Sequence, residues 1–156
     1  MKRWLRVAVA LVTAAVAVVL LRAEAVATVR IGSDSMAPTL QRGDTALLDK
    51  ITVRVRDPER RDLVAFRSPQ DGELTVKRVV GVAGDVVEVR DAVLHVNGTA
   101  VPEPEIDLAA DDGTWFGPVT VPAGEVFLMG DNRANSIDSR TYGAVPLDDV
   151  VARAFG

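Results

Sequence analysis

The stretch VVEVRDAVLHVNGTAV, Val86 to Val101, decides the fold class. It is rich in β-branched residues, and its Asn97-Gly98 step is the dipeptide that tight hairpin turns favour, because both central residues of such a turn need positive φ. It therefore reads as strands joined at a hairpin. Outward from it, TALLDKITVRV (45–55) and DLVAF (62–66) are short apolar runs bounded by Gly, Asp and Pro, and ELTVKRVVGVAGD (73–85) shows strand-like alternation. With turn signals every eight to twelve residues and no long 3.6-residue period, the pattern predicts a mainly β chain with one compact antiparallel domain. The acidic, proline-bearing VPEPEIDLAADDGTWFGP (101–118) reads as an exposed loop. No internal repeat is present.

The N-terminus is of another kind. MKRWLR precedes VAVALVTAAVAVVLL (7–21), fifteen residues in which only Thr13 is polar. At 1.5 Å per residue this run covers about 22 Å, short of a hydrocarbon core of about 30 Å. Carried on to Val29 it spans a bilayer, with Arg22 snorkelling to the interface. The rival reading is a removable leader, since Ala25-Val26-Ala27 offers an A-x-A cleavage site. Both place the body outside the cytoplasm, because Lys2, Arg3 and Arg6 stay inside. The chain is thus expected to divide into a basic flank and transmembrane anchor, 1–29, and an extracytoplasmic domain, 30–156.

Composition removes several functions. Five cations against Glu24 make residues 1–30 net +4, so the rest of this −4 chain is −8. An acidic body with four Phe, two Trp and one Tyr lacks the basic stripe and stacking aromatics of a nucleic-acid binder. The absence of cysteine excludes a thiol nucleophile and Cys-ligated zinc, and the single His95 excludes a paired-histidine metal motif. No metal or cofactor is expected.

What remains is hydroxyl chemistry. Ser33 and Ser35 stand one residue apart in IGSDSMAPTL (31–40), and a serine needs a neighbour to take its proton. His95, two residues before the Asn-Gly turn, reads as a solvated strand position. The chain carries fifteen Arg and only Lys2, Lys50 and Lys77, so a lysine kept at 77 invites explanation. Arginine cannot be deprotonated in a protein, whereas burial can neutralise an ammonium. Strand alternation puts Lys77 on one face with Thr75 and Val79, and Arg78 on the other with Val76 and Val80. Among β-branched neighbours and close to another cation, a fall of about two units from about 10.4 would leave a useful neutral fraction near neutrality. The same spacing also fits a surface lysine on an edge strand. GDNRANSIDSRTYG (130–143) is either a turn-rich loop or support for a site.

Taken together, SDSMAPTL, VKRVVGVAGD and GDNRANSIDSR, in this order behind an apolar segment, resemble the bacterial type I signal peptidases, membrane-anchored Ser-Lys endopeptidases of mostly β fold. RGDTALLDK, RRDLVAF, VNG and TWFGPVTVP extend the resemblance over nearly the whole body. It implies Ser35 as nucleophile, Lys77 as general base, and an oxyanion hole made by the Ser33 hydroxyl with the Ser35 N–H. It implies that Ser136 hydrogen-bonds the lysine, that Asp138 and Arg140 form a supporting pair, and that Gly130, Asp131 and Asn132 are structural. The implied substrates are secretory preproteins with signal peptides, met at the bilayer by a single-pass monomer whose N-terminus is cytoplasmic. A dedicated maturation peptidase and a non-catalytic membrane-tethered β module are the alternatives. Two positions depart from the family: Asp34, where glycine is frequent, and Ala83, where proline or glycine is usual. The brief connection before the last box implies a minimal catalytic core.

Overall fold

The computed structural model describes residues 3–4, 7–13, 25–106 and 115–156. Antiparallel pairing organises the domain into two sheets. The strands are β1 Val26–Arg30, β2 Thr45–Asp49, β3 Leu63–Arg67, β4 Leu74–Val82, β5 Val86–Arg90, β6 Val93–Val96, β7 Thr99–Ala100, β8 Phe116–Thr120, β9 Glu125–Met129, β10 Val145–Pro146 and β11 Val150–Phe155. The larger sheet has the order β1-β2-β11-β3-β4-β9-β10, the smaller β7-β6-β5-β8. The predicted antiparallel β architecture is therefore present, and β4 lies between β3 and β9 rather than at an edge.

The Val86–Val101 stretch supplies three strands through two tight turns. Asn97 and Gly98 have φ of 54° and 78°, as the dipeptide predicts. Asp91 and Ala92 form a second two-residue turn, with φ of 50° and 65°, which no glycine announced. Asn97 also accepts the Val86 N–H at 2.8 Å and donates to Asp85 at 2.9 Å. Asp85 in turn accepts the Val82 N–H, so the β4–β5 corner closes with Ala83 in place. One apolar cluster, including Val80, Val87, Leu94 and Phe127, joins the sheets. A second, with Val64, Phe66, Val79 and Leu128, fills the middle of the large sheet. A third, with Met36, Leu40, Ala46 and Leu48, lies under the segment that carries Ser35.

Three expectations are corrected. The apolar segment was expected to run to Val29, with the domain beginning at residue 30, but Val26–Arg30 is β1, paired with β2 in the register Val26↔Asp49 to Arg30↔Thr45. Its period-two pattern lets Ala27 and Val29 pack on the core while the ladder satisfies its backbone. No helix among the described residues is long and apolar enough to cross a membrane. Residues 7–13 are helical, and residues 14–24 of the expected anchor lie outside the described residues. Next, TALLDKITVRV is a strand only as far as Asp49, whose carboxylate accepts the Ile51 and Thr52 N–H groups and turns the chain into a helical turn over Thr52–Val55. Finally, 101–106 is no loose loop: Ile106 is buried, Glu103 pairs with Arg133 at 2.6 Å, and Glu105 with Arg61 at 3.1 Å. Residues 107–114 lie outside the described residues.

Gly81 sits where β4 bulges against β9, and a Cβ there would lie 2.5 Å from Cγ2 of the buried Val87. Because a β-branched core side chain cannot swing clear, Gly81→Ala is expected to destabilise by about 1–3 kcal/mol, read as a lower urea midpoint with unchanged m-value.

Candidate active site

Ser35 lies in a tight turn between β1 and β2, held from three sides. Met36, 1 % exposed, and Leu40 plunge into the core beneath it. The Ala37 N–H donates to Asp34 O at 3.0 Å and Leu40 N–H to Met36 O at 2.9 Å, closing the turn. From the other side Asn132 donates its backbone N–H to Ser35 O at 3.0 Å and its side-chain amide to Asp34 O at 3.1 Å.

Lys77 comes from the middle of β4. It is 4 % exposed, and its Nζ donates to Ser35 Oγ at 2.5 Å across a separation of 42 residues. Burial lowers its pKa from 10.5 to about 8; the carboxylates of Asp138 and Asp131 oppose the fall and Arg140 assists it. The assisting cation is therefore Arg140, not the adjacent Arg78 that sequence proximity suggested. Arg78 points elsewhere and pairs with Asp131 through Nε at 2.8 Å and Nη2 at 2.5 Å. At pH 7 a pKa of about 8 leaves about a tenth of the amines neutral, enough for a base.

Ser33 is exposed, with Oγ 3.1 Å from Ser35 Oγ. The Ser35 N–H donates to no group among the described residues. Both groups thus sit beside the Ser35 hydroxyl. Asp34 lies within the turn, and its carboxylate meets Arg42 Nε at 3.3 Å. It is not among the residues that line the cleft with Lys77.

The last box folds around these two groups. Asp138 is fully buried, accepts the Gly130 N–H at 3.0 Å and pairs with Arg140 at 2.9 Å. Burial alone would raise its carboxyl, but the Arg140 hydrogen bond and charge, with the Gly130 N–H, outweigh that and hold it below the ordinary carboxylate value. The expected supporting pair is present. Ser136 is the exception: its buried Oγ lies against Gly130, near enough to Asp138 to help hold that carboxyl low, and forms no hydrogen bond with Lys77. The hydroxyl nearest the amine is Ser35 instead.

Residues that sequence reasoning passed over complete the frame. Thr39 donates to Asp131 at 2.5 Å, so the Arg78–Asp131 pair ties β4 to the Ser35 turn. Arg133 donates Nε to Gly130 O at 2.9 Å, and its own carbonyl accepts from Arg140 at 2.7 Å. No local signal marks these partners, which lie 30 to 92 residues apart in Arg133–Glu103, Arg78–Asp131 and Thr39–Asp131. His95 stays in β6 of the small sheet, partly buried, with its ring Nδ1 against Val93 O at 3.1 Å. Among the described residues no group of three or more acidic or histidine side chains could hold a metal.

Ser33, Ser35 and Lys77 open onto a cleft of about 570 Å³ that Val29–Gly32, Leu74–Val76 and Tyr142 also line. The family model for signal peptidase, peptidase S26, matches residues 3–156. The chain belongs to that family. It is similar to the probable signal peptidase I-2 of Synechocystis, 38 % identical over 97 % of this chain and 72 % of that protein. Thylakoidal processing peptidase 1 of Arabidopsis thaliana is 36 % identical over 80 % of this chain and 39 % of its own length. In structure the chain resembles a signal peptidase I from Enterococcus faecalis, with a TM-score of 0.57 and 33 % identity, over 63 % of this chain and 97 % of that one. This signal peptidase is accordingly a serine endopeptidase.

Two outcomes follow from the packing of this peptidase site. A Cβ at Gly130 would lie 2.2 Å from Ser136 Oγ and 2.5 Å from Ser35 O, so Gly130→Ala is expected to lower kcat at least tenfold by displacing Ser35, measured on any cleaved preprotein. Because the Lys77 pKa is lower folded than unfolded, the folded chain binds fewer protons between about 8 and 10.5, and stability rises with pH over that window. Below about 8 the buried ammonium costs up to about 3 kcal/mol. Lys77→Met is therefore expected to unfold at higher urea than the parent at pH 7, with the advantage gone by pH 10.5.

Proposed function

We propose that this chain removes signal peptides from secreted preproteins with Ser35 as nucleophile and Lys77 as the base that activates it. The supporting observation is the buried Lys77 Nζ at 2.5 Å from Ser35 Oγ, at the wall of an open cleft. Neutral Lys77 takes the Ser35 proton as Oγ attacks the scissile carbonyl carbon. The Ser33 hydroxyl and the Ser35 N–H then hold the oxyanion, where a donor of this kind lowers the barrier by about 3 kcal/mol. The protonated lysine passes its proton to the leaving amine as the C–N bond breaks. The same amine next deprotonates a water that releases the acyl group from Ser35.

Asp138 and Arg140 set the electrostatics around that amine, and Asp131 with Arg78 and Thr39 sets its distance from the turn. Small residues at the first and third positions before the cut are the ones read to enter the cleft that Met36 and Ile31 line. The body is read as extracytoplasmic and monomeric, tethered by the apolar segment within residues 1–25. Tethering confines enzyme and precursor to one bilayer and raises effective concentration without a new contact.

Cleavage of a purified preprotein tests this reading. Ser35→Ala is expected to abolish processing with the urea midpoint retained, and Lys77→Arg to abolish it in the folded chain, since arginine keeps the charge but cannot serve as base. Ser33→Ala is expected to lose about 10²–10³ in kcat. For the parent, kcat/KM should rise with pH to a plateau above about 8, as Lys77 loses its proton. Full activity of Lys77→Arg would sink the proposal.

A further inference from the structure

The function read above leaves one motif unused. Ala25-Val26-Ala27 follows the apolar run with the spacing of small residues that the cleft is read to accept, so the protein's own chain carries a substrate sequence for the proposed activity. The structure places it in the sheet. Ala25 is 7 % exposed, its carbonyl accepts the Lys50 N–H at 2.9 Å, and Val26 and Ala27 begin β1. In an extended strand residues i and i+2 share a face. Here Ala25 is buried and Ala27 packs on the core, while Val26 and Thr28 stand on the outer face. The two side chains that cleft pockets would read are both turned inward.

We infer that the Ala27–Thr28 peptide bond is a latent self-processing site, kept intact because β1 pairs with β2 and hides the alanines that mark it. The inference rests on the signal-peptide-cleaving function proposed above. A molecule cannot cut itself while folded, because β1 runs on through Ile31 into the wall of the cleft and Ala27 lies only eight residues before Ser35. Cleavage is therefore in trans. Ser35 of a second molecule takes the acyl group ending at Ala27, the C–N bond to Thr28 breaks, the new amine receives the proton held on Lys77, and water then frees the Ala27 carboxylate. Because β1 is an edge strand, its release breaks one ladder of five pairs and the packing of Ala27 and Val29 on the core, and any opening of that ladder exposes the bond. Ala23 repeats the spacing one step earlier, which adds a second cut after Ala25, itself buried in the folded chain.

The test uses the full chain in detergent micelles, with Ser35→Ala molecules as substrate and the active parent as enzyme, the products read by mass and N-terminal sequencing. A synthetic peptide of residues 16–34 should be cut after Ala27 or Ala25. The folded Ser35→Ala chain should be cut at least a hundredfold more slowly. Ser35→Ala carrying Val29→Asp, which forces a carboxylate onto the inward face of β1, should be cut at nearly the peptide's rate. This outcome is expected whether Val29→Asp frees β1 alone or unfolds more of the domain, since either exposes the bond. Equal cleavage of the folded chain and the peptide overturns the inference, as does a peptide or a Val29→Asp chain that stays whole. A secretory preprotein runs alongside: if it too stays whole, the proposed function fails; if it is cut while the peptide is not, the self-processing site alone fails.

Discussion

An amine buried against a hydroxyl is the constraint around which this molecule is arranged. Out of water, the charged form of Lys77 loses its solvation, and the cost falls as the proton leaves. In the proposed mechanism that cost supplies the base, and β4, the Ser35 turn and the Asp138–Arg140 pair maintain the burial or the charge around it. β4 is a central strand, so Lys77 is covered on both sides by β3 and β9. The Ser35 turn completes the cover, and Met36 and Leu40 fix the turn to the core.

Arginine–carboxylate pairs do the long-range positioning. Arg78–Asp131, Arg133–Glu103 and Arg140–Asp138 are all substantially buried, and each links segments or holds a loop that touches the site. Such pairs bring little net stability, because desolvation offsets most of their attraction. They do define geometry, since guanidinium and carboxylate meet as two planar forks. This explains the lopsided cation usage. In the buried pairs, where charge and rigid geometry are needed, the chain places arginine, and at 77, where the proposed mechanism requires an amine that can lose its charge, it places lysine.

The pairs also set the electrostatics of the base with some subtlety. Asp138 alone would push the Lys77 pKa up and work against deprotonation. Arg140, bonded to Asp138, offsets part of that field while leaving the carboxylate free to hold the Gly130 N–H. The result is an amine whose pKa burial lowers against the pull of Asp138 and Asp131, with Arg140 offsetting only part of that pull.

Much of this was legible in the sequence, because it rests on local rules. Period-two runs marked the strands, Asn97-Gly98 marked a turn through its tolerance of positive φ, and Ser33, Ser35 and Lys77 stood out as hydroxyls and an amine in unusual company. The Asp91-Ala92 turn was not legible, since alanine has no preference for the left-handed region and only the pairing of β5 with β6 holds it there. Nor was the capture of Val26–Val29 by the sheet, where an apolar run satisfies helix and strand equally and the partner β2 decides.

By itself, then, the sequence determined which chemical groups are available and which short segments alternate, as both depend on residues a few positions apart. The tertiary structure alone decided that Lys77 touches Ser35 and not Ser136, that Asp34 turns to Arg42, and that Glu103 and Asp131 find their arginines. Those outcomes depend on which distant groups are excluded from water together, and burial is a property of the packed chain rather than of any stretch of it.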